Sequence, residues 1–110
     1  MHEVSRGGRF VPRRPLRLGR DAPRKLATRG ISKSEIRALL AEHVVIDVVE
    51  ERHRYVLLGR VRGRALIAVV ADDELDDAIV LVSAYEPDEE HGWTTELIER
   101  MLAGTEEDGQ

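Results

Sequence analysis

GRALIAVVADDELDDAIVLVSAYEP, Gly63 to Pro87, is the stretch whose reading decides the fold. Two apolar runs rich in β-branched residues, Ala65 to Ala71 and Ala78 to Ala84, flank the segment Asp72, Asp73, Glu74, Leu75, Asp76 and Asp77. That segment is too polar to carry a buried helix across it, so the pattern predicts a central β-hairpin with an acidic turn. Successive strand side chains point to opposite faces, which puts Ile79, Leu81, Ser83 and Tyr85 on one face and Val80, Val82 and Ala84 on the other. Both faces are apolar, as an interior strand requires. Antiparallel pairing brings Arg64, which opens the hairpin, to the same sheet edge as Tyr85, Glu86 and Pro87, which close it. That edge is the first candidate for a functional site.

Working outward, Arg54 to Val61 and Val44 to Val49 are two further β-branched runs, and Gly63 falls in the turn after the former. Upstream, Ser32-Lys33-Ser34-Glu35 is a capping box that opens a helix with an apolar stripe of Ile36, Leu39 and Leu40. A shorter helix precedes it from Asp21 to Arg29, with Asp21 as cap, Pro23 in the first turn and Gly30 just past the end. Lys25 and Arg29 lie four residues apart on one side of it. A last helix runs from about Thr94 to Leu102, with Leu97, Ile98, Met101 and Leu102 on one side. The expectation is an α+β fold: two N-terminal helices, a four-stranded antiparallel sheet and a C-terminal helix.

A chain of 110 residues is read as a single domain, over residues 20–103. Residues 1–19 contain Gly7, Gly8, Pro12, Pro15 and Gly19, which break a helix and predict a disordered basic arm. In it Arg6, Arg9, Arg13 and Arg17 recur every three or four residues, and Phe10, Val11, Leu16 and Leu18 offer an apolar means of docking. Residues 104–110 read as an acidic, frayed tail.

Charge is distributed unevenly. Residues 1–30 carry nine Lys/Arg against two Asp/Glu, residues 31–71 seven against five, and residues 72–110 one against fourteen. A basic third suits a polyanion such as RNA; an acidic third suits a basic protein, or the other end of its own fold. With no cysteine there is no disulfide framework, thiolate metal site or cysteine nucleophile. No apolar run approaches the roughly 20 residues of a membrane span, so the expectation is a cytoplasmic protein with no membrane contact.

Among residues able to carry chemistry, Arg60, Arg62 and Arg64 alternate around Gly63 and are expected to cluster at one sheet end. Planar guanidinium groups bind phosphate through paired hydrogen bonds, although charges at a hairpin also deter edge-to-edge aggregation. Tyr85 is a candidate acid, base or stacking surface, and Trp93 a stacking surface or a packing anchor. The acidic turn lacks the glycine and distal glutamate of a calcium loop, and His43, His53 and His91 show no ligand spacing, so neither metal nor cofactor is expected.

Taken together, ATRGIS at 27–32, LLGRVRGRALIAVVA at 57–71 and AYEPDEEHGW at 84–93 resemble the bacterial family described as domain of unknown function 4258, which looks like a distant branch of the BrnT and RelE ribonuclease toxins. The resemblance implies helices followed by a strongly curved antiparallel sheet. It also implies metal-independent messenger RNA cleavage, on or off the ribosome, within a toxin–antitoxin pair. Carried over by position, the family's motif falls on Lys25, Arg29, Gly63, Arg64, Tyr85, Pro87 and Trp93, which implies Lys25, Arg64 and Tyr85 as catalytic and Arg29 and Trp93 as RNA-binding; Arg60 and Arg62 join the RNA-binding set from the hairpin reading above. Where the family pattern begins its first helix with histidine, this chain has Asp21, a carboxylate that repels phosphate. A second expectation is therefore a non-catalytic RNA-binding or protein-interaction module on the same fold.

Overall fold

The computed structural model describes residues 7–104; the expected acidic tail from 105 onward and the first six residues of the arm lie outside them. The described chain runs β1 (Leu16–Leu18), α1 (Ala22–Arg29), α2 (Lys33–Ala41), β2 (Val44–Val49), β3 (Arg54–Val61), β4 (Arg64–Asp73), β5 (Ala78–Tyr85) and α3 (Thr95–Ala103). The strands form one sheet in the order β1-β5-β4-β3-β2. The α+β class is as expected, but the sheet has five strands where four were expected.

The additional strand comes from the segment expected to be a disordered arm. Gly7 N–H donates to the Val45 carbonyl and Val45 N–H to that of Gly8, at 2.7 and 2.9 Å, so the described part of this segment starts against β2. It ends against the opposite edge, where β1 pairs parallel with β5. Between these points Phe10 is 1% exposed, with its ring 4.7 Å from that of Tyr55. Arg14 and Arg17 pair with acids of the β4–β5 turn, Arg14 with Asp72 and Asp77, Arg17 with Asp73 and Asp76. The glycines and prolines that exclude a helix are compatible with a strap, which needs only backbone partners and a few apolar anchors.

The β3–β4 hairpin turns on Arg62 and Gly63, both at positive φ (54° and 84°), a two-residue turn whose twist suits antiparallel strands. The β4–β5 hairpin carries an irregularity: Val70 pairs with Leu81 but Val69 pairs with Ser83, so β5 holds one extra residue. A bulge of this kind reverses the alternation beyond it. Ala84 therefore joins Ile79 and Leu81 on the core face, while Ser83 and Tyr85, expected there, face the other way. Ala84 is fully buried and Tyr85 partly exposed, in agreement.

On one face, α1 and α2 cover Leu57, Leu66, Ala68, Val70, Ile79 and Leu81, all in the main core with Ile36 and Leu39 of α2. Close approach of α2 to β3 depends on Gly59, where a Cβ would lie 2.5 Å from Leu39 Cδ1 and 2.7 Å from the Glu42 carbonyl oxygen. The other face carries the fully buried Leu58 and Ile67. Against it lies α3, whose residues include none that is fully buried.

Candidate RNA-binding surface and cleft

Helix α2 is opened by the expected capping box: Ser32 Oγ accepts from Glu35 N–H at 3.1 Å, and Glu35 Oε1 accepts from Ser32 N–H at 2.9 Å. Helix α1 ends at Gly30 in the left-handed conformation, also as expected, but Asp21 makes no side-chain capping bond. The two helices are thus joined by a short turn and lie on the same sheet face. Along these helices, and in the turn just before α1, lie the exposed Arg20, Arg24, Lys33 and Arg37 and the half-buried Lys25, with Arg29 at the end of α1 bonded to β5. Among the described residues, the first five make no ion pair. Glu35, one of two acids between residues 20 and 41, is turned inward and 7% exposed.

Glu35 is the partner of Arg64. Arg64 Nη2 lies 3.0 and 3.1 Å from the two carboxylate oxygens of Glu35 and 2.9 Å from the Gly30 carbonyl oxygen, and Nη1 is 3.7 Å from Glu86. The hydrogen bond from Ser32, opposed by burial and reinforced by Arg64, holds the Glu35 carboxyl below its ordinary range. Arg64 thereby ties the start of β4 to the α1–α2 turn and to the end of β5.

The expected arginine cluster does not form, because neighbouring ladder positions alternate faces. Arg60, paired with Ala65, points to the α3 side and forms an ion pair with Glu99; Arg64, paired with Val61, points to the α1–α2 side; Arg62 occupies the exposed turn. Nor do Lys25, Arg64 and Tyr85 converge. Lys25 is on α1, half-buried and without a side-chain partner among the described residues, whereas Tyr85 is paired with Ile67 on the face opposite Arg64.

What Tyr85 does adjoin is a cleft of about 520 Å³ with Arg29, Pro87, Asp88, His91 and Trp93. Arg29 is fixed there by bonds from Nη1 to the Ala84 carbonyl (2.8 Å) and Ser83 Oγ (3.3 Å). Tyr85 and Trp93 also line a second hollow with Ile46, Asp47, Val56 and Met101, so the two rings form a wall between hollows. At the cleft mouth, His91 Nδ1 lies 2.6 Å from Asp88 Oδ1, and this bond keeps the Asp88 carboxyl below its ordinary range. Asp88, Glu90 and His91 bring ligand atoms within 4.8 Å of one another, a grouping that the histidine spacing did not signal; all three are exposed.

The family model for the domain of unknown function 4258 matches residues 19–86. The chain belongs to that family. The match spans the DUF4258 domain from the end of the strap through the last strand and ends just before most of the cleft's acidic rim. No curated protein and no solved structure matches the chain. Within the DUF4258 domain, the Glu35–Arg64 pair and the unpaired basic helix side are features that linear reading missed. The pair joins residues 29 positions apart, and helical spacing alone could have revealed only the basic side.

Proposed function

We propose that this domain binds RNA without cleaving it, through the solvent side of α1 and α2. The observation that carries the reading is the set of cations at Arg20, Arg24, Lys25, Lys33 and Arg37, none of them in an ion pair among the described residues. Elsewhere Arg14 and Arg17 are matched by the acidic turn, Arg60 by Glu99 and Arg64 by Glu35, while Arg13, Arg52, Arg54 and Arg62 are spread over other parts of the chain without an ion pair among the described residues. A surface that concentrates cations without compensation gains free energy by neutralising phosphates and releasing their counterions. This is the non-catalytic form of the RNA reading.

The toxin reading, with messenger RNA cleavage and a cognate antitoxin, needs a phosphate held by cations beside a proton-transferring group. Arg64 is engaged by two carboxylates, Tyr85 is on the other sheet face, and Asp21 stands where the family pattern has histidine. The first two observations, with the histidine that the resemblance implies at position 21 replaced by a carboxylate, favour binding over cleavage.

The test is charge reversal. Arg24→Glu combined with Arg37→Glu is expected to weaken binding of labelled single-stranded RNA by about tenfold or more at low salt, since each lost phosphate contact removes its counterion-release term. Arg52→Glu, an exposed position away from the two helices, is expected to leave it unchanged. Equal affinities for both variants and the wild type would remove the α1–α2 surface from the proposal.

A further inference from the structure

We propose that the cleft beside Arg29 receives an unpaired RNA base bearing an exocyclic amino group, stacked on Trp93 and Tyr85, while the strand's phosphates lie on the α1–α2 surface. The inference rests on the RNA reading above and adds what the RNA must be: single-stranded, and read at one base. Arg29 links the two regions, because it belongs to the last turn of α1 and lines the cleft. Its Nη1 is held by Ala84 and Ser83, which leaves the donors of Nε and Nη2 without a partner among the described residues. They are placed to meet a phosphate at the cleft entrance.

At the exposed rim beside Arg29 the chemistry changes sign. Asp88 and Glu86 line the cleft, and Glu89 and Glu90 follow in the chain, so a phosphate would be repelled. A base carries no charge, and its amino hydrogens are donors that a carboxylate accepts. The half-buried rings of Trp93 and Tyr85 and the Pro87 ring supply flat apolar surface, the usual platform for a base out of its stack. The hydrogen bond from His91 favours the charged form of Asp88, the form that accepts. Uracil presents an oxygen where cytosine presents its amino group, so the carboxylate discriminates between two pyrimidines of nearly the same shape.

Trp93 is the chain's one tryptophan, so its fluorescence reports on the wall that this cleft shares with the second hollow. The experiment titrates the full chain with short oligocytidylate, oligouridylate and duplex RNA, reading tryptophan emission and, separately, the anisotropy of end-labelled RNA. Expected are quenching by oligocytidylate, binding of oligocytidylate tighter than oligouridylate by about tenfold, and duplex binding seen by anisotropy without quenching. Asp88→Ala is expected to erase the cytidine preference, and Trp93→Leu to weaken oligocytidylate by about tenfold while leaving duplex affinity unchanged. Anisotropy showing equal binding of all three RNAs without quenching would overturn the base-in-cleft inference and leave the α1–α2 surface standing. Quenching with no cytidine preference would overturn the amino selection. No binding of any RNA at low salt would overturn both.

Discussion

Arg64 reaches across from the first residue of β4 to both carboxylate oxygens of Glu35, at 3.0 and 3.1 Å, and so joins the sheet to the cap of α2. The Glu35 side chain is 9% exposed and also serves the capping box, which makes the pair a joint of the fold. A guanidinium committed in this way has few donors left for an incoming phosphate.

Arg64→Ala leaves a largely buried carboxylate without its counter-charge and is expected to cost about 2 to 3 kcal/mol. Glu35→Gln keeps the capping geometry and loses the charge, and should cost less, about 1 kcal/mol. Urea denaturation ranks the two. Under conditions where Arg64→Ala remains folded, its RNA affinity is expected to equal that of the wild type, whereas a phosphate-binding Arg64 would show a loss.

Phe10→Ala removes a ring that is 1% exposed and packed on Tyr55, and is expected to cost about 3 to 4 kcal/mol. Deletion of residues 1–19, which also removes β1, should lower the thermal midpoint at least as far. A truncated chain as stable as the intact one would show that the strap is an ornament on the domain.

His43 sits under this strap, buried, with Nδ1 3.0 Å from the Leu39 carbonyl and Nε2 accepting from Phe10 N–H at 2.9 Å. The pattern fits the neutral ring, since a proton on Nε2 would face the Phe10 donor. Burial, reinforced by Arg9 and opposed by the Leu39 carbonyl, pushes its pKa below the ordinary 6.5. Because the folded value is the lower one, the unfolded chain binds the proton first: stability is complete above about pH 6.5 and falls as pH drops through and below it. Glu35, also depressed, adds a second loss that begins lower, near its ordinary 4.5. Denaturation midpoints measured from pH 8 to pH 4 should show both, and His43→Gln should flatten the upper one.

Much of this architecture is legible in the residues. The capping box at Ser32 and Glu35, the glycine turn at Gly63 and the alternating runs from Val44 to Ala84 place two helices and four strands where they occur. The β5 bulge leaves no mark, because Val82 and Ser83 suit either register, yet it decides which way Tyr85 points. The strap was missed because Leu16-Arg17-Leu18 is too short for periodicity, and because its stabilising contacts are backbone bonds to Val45, Ile79 and Leu81, residues far away in sequence. Of the candidate site residues, Arg29, Tyr85 and Trp93 do meet in one cleft, while Arg60 and Arg64 are held by acids from α3 and α2 that linear spacing does not connect to them.

The most direct test of RNA binding by the α1–α2 surface is the salt dependence of affinity for a short single-stranded RNA. If about four phosphates are neutralised, a plot of log affinity against log salt should fall with a slope of about −3, and Arg24→Glu with Arg37→Glu should flatten it by about 1.5. A flat plot for the wild type, or cleavage of the RNA in metal-free buffer that stops on Tyr85→Phe, would contradict the account.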